Sequence, residues 1–247
     1  MENNKSGYVY DNVTQLDDAA ASSRKYLADV FMWMFGALAI SAIFAYEFFV
    51  TPTLLSLIVA PTVNGGLGLT TLGYVAMFSP LAFSLVISFG FNRISYPVMI
   101  ALFLTYAIAI GISFSVIGLI YTSASIFSVF ITASLLFGVM AVMGYTTKQD
   151  LTKFGSILYM VFIGMFIASM VNFFIGSAQF GYIISFIFVA VFIGLTAYYI
   201  QMLKRIGEGV DQDGATRGKL VIIGAFTLYT TFINLFLSLL RVFGSRR

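Results

Sequence analysis

The chain has 247 residues, of which 60% are hydrophobic and only 9% carry a charge. A soluble domain has roughly 25% charged residues, so this composition excludes a soluble globular protein and predicts that lipid is the main solvent. The chain has no cysteine and no histidine, which excludes disulfide frameworks, thiol nucleophiles, Ser-His-Asp triads and zinc sites built from these residues. The net charge of +3 does not indicate nucleic-acid binding, because the basic residues form no dense patch.

Residues 1–23 are polar and show no apolar periodicity, so we predict a disordered, cytoplasmic tail. Residues 24–247 form an all-α polytopic membrane domain in this interpretation. A membrane helix needs about 20 predominantly apolar residues, and seven segments meet this requirement. They are Leu27–Val50, Tyr74–Phe91, Tyr96–Tyr121, Ser125–Tyr145, Phe154–Ile175, Gly181–Leu203 and Leu220–Phe243.

Ten of the thirteen Lys and Arg residues fall in the N-terminal tail and the even-numbered connectors. The positive-inside rule therefore predicts that the N-terminus and these connectors are cytoplasmic. Arg241, Arg246 and Arg247 break the pattern. A seventh segment that spans fully leaves them outside, whereas a re-entrant segment returns them to the cytoplasm; the sequence favours a full span.

The last segment carries a polar stripe, in which polar residues recur at steps of four, three, four and three and so share one helical face. Polar groups in hydrocarbon are costly unless they meet other polar groups, so we expect this helix to lie among the others, with its stripe on a polar seam or cavity. Residues of the fifth and sixth segments could line the same pathway, or could each form an interhelical hydrogen bond worth about 0.6 kcal/mol. The stripe is Thr227, Thr231, Asn234, Ser238 and Arg241; Tyr199 is a further main candidate for the pathway, and the secondary candidates are Asn172, Thr196 and Tyr198.

No carboxylate occupies the middle of any predicted span. Asp29 and Glu47 lie near the two ends of the first span, and intramembrane ionisable groups are otherwise almost absent. Paired-carboxylate catalysis therefore has no candidates within the membrane, and no phosphate-binding glycine loop or nucleophile elbow is present. We predict neither an enzyme nor a bound cofactor or metal site.

Several segments together carry a family resemblance. The most specific are GLTAYYIQMLKRI (Gly194–Ile206), LYTTFINLFLSLLRVFG (Leu228–Gly244) and GYTTKQDLTKFG (Gly144–Gly155), supported by Arg24-Lys25-Tyr26 and Ser79-Pro80. From about Arg24 onward the sequence resembles the Bax inhibitor family of multi-pass membrane proteins, in its bacterial branch.

This resemblance implies a seven-helix fold in which six helices surround a hydrophobic seventh, in the inner (plasma) membrane. It implies a pH-sensitive calcium leak, protection from stress and, in bacteria, control of a membrane protease. The family's pH sensor is a pair of aspartates in the sixth and seventh helices, to which an arginine after the second helix binds as a latch. Two carboxylates in one poorly hydrated site share a proton, so the pKa of the pair rises.

The sequence departs from the family pattern at the sensor. Tyr199 and Thr231 stand where the two aspartates belong, and Arg93 matches the latch arginine. Tyrosine titrates near pH 10 and threonine does not titrate, so this pair is not a sensor at neutral pH. Two functions stay open: a cation leak lined by Thr231, Asn234 and Tyr199 with Arg93 at its entry, or a non-transporting regulator that binds a membrane protease or another membrane protein.

Overall fold

The structure, a computed structural model, describes residues 3–62, 66–90, 93–209 and 214–247, with side chains from residue 18 onward except at positions 88 and 215. These residues are almost entirely helical, apart from one short antiparallel β-hairpin. The elements are α1 Asn3–Val50, α2 Pro52–Ile58, β1 Val59–Pro61, β2 Leu67–Leu69, α3 Thr71–Gly90, α4 Tyr96–Phe114, α5 Ile117–Ile120, α6 Ser123–Thr146, α7 Thr152–Ile175, α8 Ala178–Gly209 and α9 Ala215–Phe243.

Six helical stretches of the described chain are long and apolar enough to cross a membrane. They fall on the first predicted span and on the third to the seventh, with α4 and α5 forming one stretch over Tyr96–Ile120. The second predicted span corresponds to α3, whose apolar stretch, Thr71–Ile87, is shorter. The all-α polytopic membrane architecture is confirmed, but the count of seven spanning helices is not.

The first helix begins much earlier than the sequence predicted. Residues 3–23 belong to α1, where we expected a tail without regular structure, and Ser22 and Ser23 are buried. Alanines 19–21 are strong helix formers and extend the helix backwards, and the Ser23 hydroxyl donates to the Lys204 carbonyl of α8 at 3.0 Å. The packed part of the chain therefore starts before residue 24; residues 1 and 2 lie outside the described part.

Helix α9 is the core of the bundle, with 67% of its most apolar window buried. It packs against α1, α4, α6 and α8, whereas α3 lies mainly on α4 and α7 mainly on α8. The expectation that six helices surround the seventh is therefore only partly met. Helix α7 has α8 as its one main neighbour among the described elements, and only 6% of its window is buried.

The bundle has two distinct ends. Tyr145, Lys204 and Arg217 lie at the end that we call the basic-loop end, and the β-hairpin and Tyr121 lie at the other, which we call the hairpin end. Helix α9 begins beside Tyr96, near the basic-loop end, and finishes beside Tyr121. It therefore runs the full length of the bundle, as the full-span alternative predicted, rather than turning back.

Helix α3 continues through Pro80. Proline has no N–H, so the carbonyl four residues earlier, that of Ala76, loses its helical partner. That carbonyl accepts hydrogen bonds from the hydroxyls of Ser79 at 3.0 Å and of Ser113, on α4, at 2.8 Å. The Ser-Pro pair thus satisfies the freed carbonyl and also joins α3 to α4, as membrane helices that contain proline require.

Candidate functional site

The polar stripe of α9 is satisfied by the backbone of α9 itself. Hydroxyl and amide side chains inside a helix can donate to the carbonyl one turn earlier, and each uncharged member of the stripe does so. Among the described residues, none of these four side chains bonds to another helix. The bonds run from Thr227 to Ile223 (2.9 Å), Thr231 to Thr227 (2.7 Å), Asn234 to Thr230 (2.8 Å) and Ser238 to Asn234 (2.7 Å).

The members of the stripe lie in unlike surroundings. Thr231 and Ser238 are buried, Thr227 is half-buried, and Asn234 and Arg241 are exposed. The polar face that the sequence predicted is therefore present, but its hydrogen bonds do not extend to a seam shared with other helices. Its role as a pathway stays a prediction.

The two tyrosines of the sixth span lie next to each other and against α7. The rings of Tyr198 and Tyr199 are 5.3 Å apart, and Tyr198 lies directly over Gly155, where a Cβ atom would overlap its ring. Thr196 is fully buried and donates to the Phe192 carbonyl of its own helix at 2.7 Å. No hydrogen bond to either tyrosine hydroxyl is found in the described part of the chain.

Arg93 lies in the turn between α3 and α4, and its side chain is exposed. Its amide donates to the Gly90 carbonyl at 2.9 Å. Over the residues that the structure describes, no hydrogen bond joins Arg93, Tyr199 and Thr231. The latch that the resemblance implies is thus not closed in this conformation.

Asn172, near the end of α7, is a half-buried amide without a complete set of partners. Its Oδ1 atom is buried and accepts no hydrogen bond from any described residue. Its Nδ2 atom lies 3.0 Å from the point where a Cβ atom at Gly181 would stand. It therefore lies close to the turn between α7 and α8 at the hairpin end, and no hydrogen bond among the described residues links it to the α9 stripe.

The basic-loop end holds a polar network that the sequence did not predict. Arg217 of α9 and Asp29 of α1 form an ion pair of 2.6 Å, with 15% and 31% of their side chains exposed. Tyr26 of α1 donates to the Leu220 carbonyl of α9 at 2.9 Å. Together with the bond of Ser23 to α8, these contacts tie α1 to both α8 and α9.

The same end clamps the α6–α7 connector, residues 147–151, onto α8. The Gln201 amide accepts from the backbone N–H of Leu151 at 2.8 Å and donates to the Gln149 carbonyl at 2.7 Å. Arg205, one turn later on the same face, binds Asp150 at 2.8 Å. Because the Thr152 hydroxyl and amide donate to the Asp150 carboxylate, and Arg205 adds a further bond, the pKa of Asp150 is lowered to about 2.

This clamp joins two of the segments that carry the family resemblance. Gln201 and Arg205 belong to the segment Gly194–Ile206, and Asp150 belongs to the segment Gly144–Gly155. The spacing of four between Gln201 and Arg205 was a signal that both face one partner, but it did not identify that partner.

A long apolar depression lies between α1 and α6, which we call the α1–α6 groove. It consists of two adjoining cavities of about 850 and 550 Å³ that share Leu38, Ala42, Phe130 and Phe232. Three α9 residues reach the groove, Phe232, Ile233 and Phe236, and at about 100° per residue all three point away from the polar stripe. Small residues on both walls leave room for a close neighbour: Ala39, Ala42 and Ala45 on α1, and Ser134, Gly138 and Ala141 on α6.

Comparison with known proteins agrees with the sequence resemblance over the same region. The family described as "Inhibitor of apoptosis-promoting Bax1" matches residues 23–247. The chain belongs to the Bax inhibitor family.

Similar proteins occur in other bacteria. The chain is 39% identical over 228 residues to the inner membrane protein YbhL of Escherichia coli K12, covering 92% of this chain and 94% of that protein. It is 38% identical over 239 residues to an uncharacterized protein of Borreliella burgdorferi, and this match covers 96% of this chain and 98% of that protein. A protein of Rickettsia prowazekii is 43% identical over 180 residues, covering 72% of this chain and 75% of its own length.

The resemblance places the two acids of the family's sensor in α8 and α9. The positions at which the resemblance places acids are occupied by Tyr199 and Thr231. Within the described residues, no cluster of three or more acidic side chains could hold a metal ion. The charged contacts of this Bax inhibitor family protein lie instead at the basic-loop end, in the pairs Asp29–Arg217 and Asp150–Arg205.

Proposed function

We propose that this protein is a non-transporting regulator of the Bax inhibitor type, which binds another membrane protein in the inner membrane. The observation that carries this proposal is that helix α9 and its polar stripe contain no carboxylate. A cation route must replace the ion's hydration shell with oxygen ligands or charged side chains. The stripe offers such an ion only neutral oxygens, such as the hydroxyls of Thr231 and Ser238, which donate to carbonyls of their own helix at 2.7 Å, and its one charged member, Arg241, is itself a cation.

The distribution of acids supports the same conclusion. The chain carries no Asp or Glu in residues 48–149 or 214–247. A divalent cation crossing the bundle along α9 would therefore meet no carboxylate on α3, α4, α6 or α9. Relatives that have the acidic pair are expected to leak calcium. This chain has no acid at those two positions, so it lacks the charged ligands for such a leak.

The α1–α6 groove offers a surface for the partner. Small side chains let membrane helices approach closely and pack by van der Waals contact, and Ala42 of α1 and Gly138 of α6 both line this groove. A Cβ atom at Gly138 would meet nothing within 4 Å, so the wall is open. A transmembrane helix of a membrane protease or a similar protein fits this chemistry.

Location and orientation are part of the proposal. The relative YbhL is named an inner membrane protein, and six helices of the described chain are apolar enough to span a membrane. The bias of ten basic residues towards one set of connectors supports a cytoplasmic N-terminus. The basic-loop end then faces the cytoplasm.

Calcium flux into liposomes tests the absence of transport. We expect the purified protein to carry calcium no faster than empty liposomes at either about pH 6 or about pH 8, a range in which neither Tyr199 nor Thr231 titrates. The double variant Tyr199→Asp with Thr231→Asp is the matched comparison, and we expect it to gain pH-dependent flux. Fast flux through the unaltered protein would contradict the proposal.

Site-specific photocrosslinking in native membranes tests the partner surface. A photoreactive residue at Gly138, in the groove, should give a discrete protein adduct. The same residue at Phe173, which is 84% exposed on the peripheral helix α7, should give only lipid adducts. Equal protein adducts at both positions, or none at Gly138, would count against the groove.

A further inference from the structure

Two arginines line a cavity at the hairpin end that the proposed function does not use. The cavity has a volume of about 490 Å³ and lies between the end of α9, the α4–α5 segment and the start of α3. Arg241 and Arg246 are the charged residues on its wall, and nearly all its other lining residues are apolar. Both belong to the arginine group that broke the charge pattern of the connectors.

The segment after α9 is fixed by its backbone. The Ser245 amide donates to the Ser125 hydroxyl at 2.9 Å, and the Thr122 amide donates to the Ser245 carbonyl at 3.1 Å. The Arg247 amide donates to the Ile120 carbonyl at 2.9 Å. These bonds hold Arg246 at the cavity without using its guanidinium group.

The two guanidinium groups have no acidic partner. In the described part of the chain, neither lies within 4 Å of a carboxylate or donates a hydrogen bond. The elements that form the wall add no side-chain carboxylate, because residues 48–149 and 214–247 contain no Asp or Glu. The α9 dipole favours a cation at Arg241, in the last helical turn, but it does not account for Arg246, which lies beyond the helix.

We propose that this cavity binds an oxyanion group, a phosphate or a carboxylate, between Arg241 and Arg246. A guanidinium group offers planar, paired N–H donors that match such groups. The volume falls within the range of small-ligand sites. The anion comes either from the headgroup of an anionic phospholipid or from a soluble compound, and the site does not depend on the proposed regulatory function.

Binding is measured on the full chain in neutral detergent with two probes. Native mass spectrometry measures how many phosphatidylglycerol molecules the protein retains, compared with phosphatidylcholine. Isothermal titration calorimetry measures the affinity for inorganic phosphate. We expect the double variant Arg241→Gln with Arg246→Gln to bind the anion at least about tenfold more weakly, since each charge-assisted hydrogen bond contributes that much or more. The double variant Arg24→Gln with Lys148→Gln removes the same charge at the basic-loop end and should bind as the unaltered chain does.

The two probes separate the sources of the anion. Selective retention of phosphatidylglycerol that the arginine variant loses supports a lipid headgroup, and phosphate binding that it loses supports a soluble anion. Binding that is equal in both double variants, or no binding of either probe to the unaltered chain, overturns the proposal. The lysine variants Arg241→Lys and Arg246→Lys keep the charge and serve as controls for correct folding. We expect them to bind the anion more weakly than the unaltered chain but more tightly than the glutamine double variant.

Discussion

The two ends of the bundle use their charged residues in opposite ways. At the basic-loop end, Arg217 and Arg205 are paired with Asp29 and Asp150 at 2.6 and 2.8 Å, and each pair joins separate elements of the chain. At the hairpin end, by contrast, Arg241 and Arg246 line a cavity, with no carboxylate within 4 Å in the described part of the structure. Paired charges hold helices together, whereas unpaired charges in a cavity are free to bind a ligand. We therefore expect mutations at the first end to change stability and those at the second to change binding.

The largest effect should come from the close contact of α6 with α8 near the basic-loop end. A Cβ atom at Gly144 would overlap the Ala197 backbone, which cannot rotate away. We expect Gly144→Ala to lower the free energy of unfolding by about 3 kcal/mol, measured by SDS titration in mixed micelles. Gly138→Ala, on the same helix but facing open space, is the matched control and should change stability by no more than about 1 kcal/mol, in the stabilising direction.

The ion pair between α1 and α9 gives the next largest effect. Asp29→Asn leaves the partly buried Arg217 without a charged partner, so we expect a loss of about 2 kcal/mol in the same titration. At the hairpin end, Arg241→Gln removes an arginine with no acidic partner and should stay within about 0.5 kcal/mol. If both variants lose the same stability, the contrast between the two ends is wrong.

The sequence predicted the helices better than it predicted their contacts. A long apolar run predicts a membrane helix whatever its neighbours in the fold are. The first span and the third to the seventh could therefore be found from the sequence alone. The polar stripe was also found, because its spacing depends only on helical geometry. The same spacing is found whether a hydroxyl donates to its own helix or to a neighbouring helix. The spacing therefore could not show that the Thr231 hydroxyl donates to the Thr227 carbonyl.

The contacts that the sequence missed join residues far apart in the chain. Gln201 binds the backbone of Gln149 and Leu151, and the pairing of Asp29 with Arg217 spans 188 positions. No local pattern identifies such partners. The β-hairpin was missed for a different reason: strands of three residues, such as Val59–Pro61, are too short for alternation to be recognised.

The clamp on the α6–α7 connector gives a smaller predicted effect. Gln201→Leu removes two hydrogen bonds to the backbone of residues 149–151, and we expect a loss of about 1 kcal/mol. Hydrogen exchange should show faster exchange at the Leu151 amide, which donates to Gln201 at 2.8 Å. Gln149→Leu is the control, because Gln149 contributes its carbonyl and not its side chain; exchange that rises equally in both variants would contradict the clamp.

The smallest effect concerns the exposed carboxylate of Asp150. Its pKa is lowered from 3.8 to about 2 by the Thr152 hydroxyl and amide and by Arg205. A carboxylate whose folded-state pKa is depressed contributes stability above its unfolded value, and this contribution is lost as the pH falls through the folded value. We therefore expect the connector to stay protected from hydrogen exchange at about pH 4 and to lose part of its protection towards pH 2. Asp150→Asn should remove this pH dependence, because the amide does not titrate; a connector that loosens identically in the variant would show that another group is responsible.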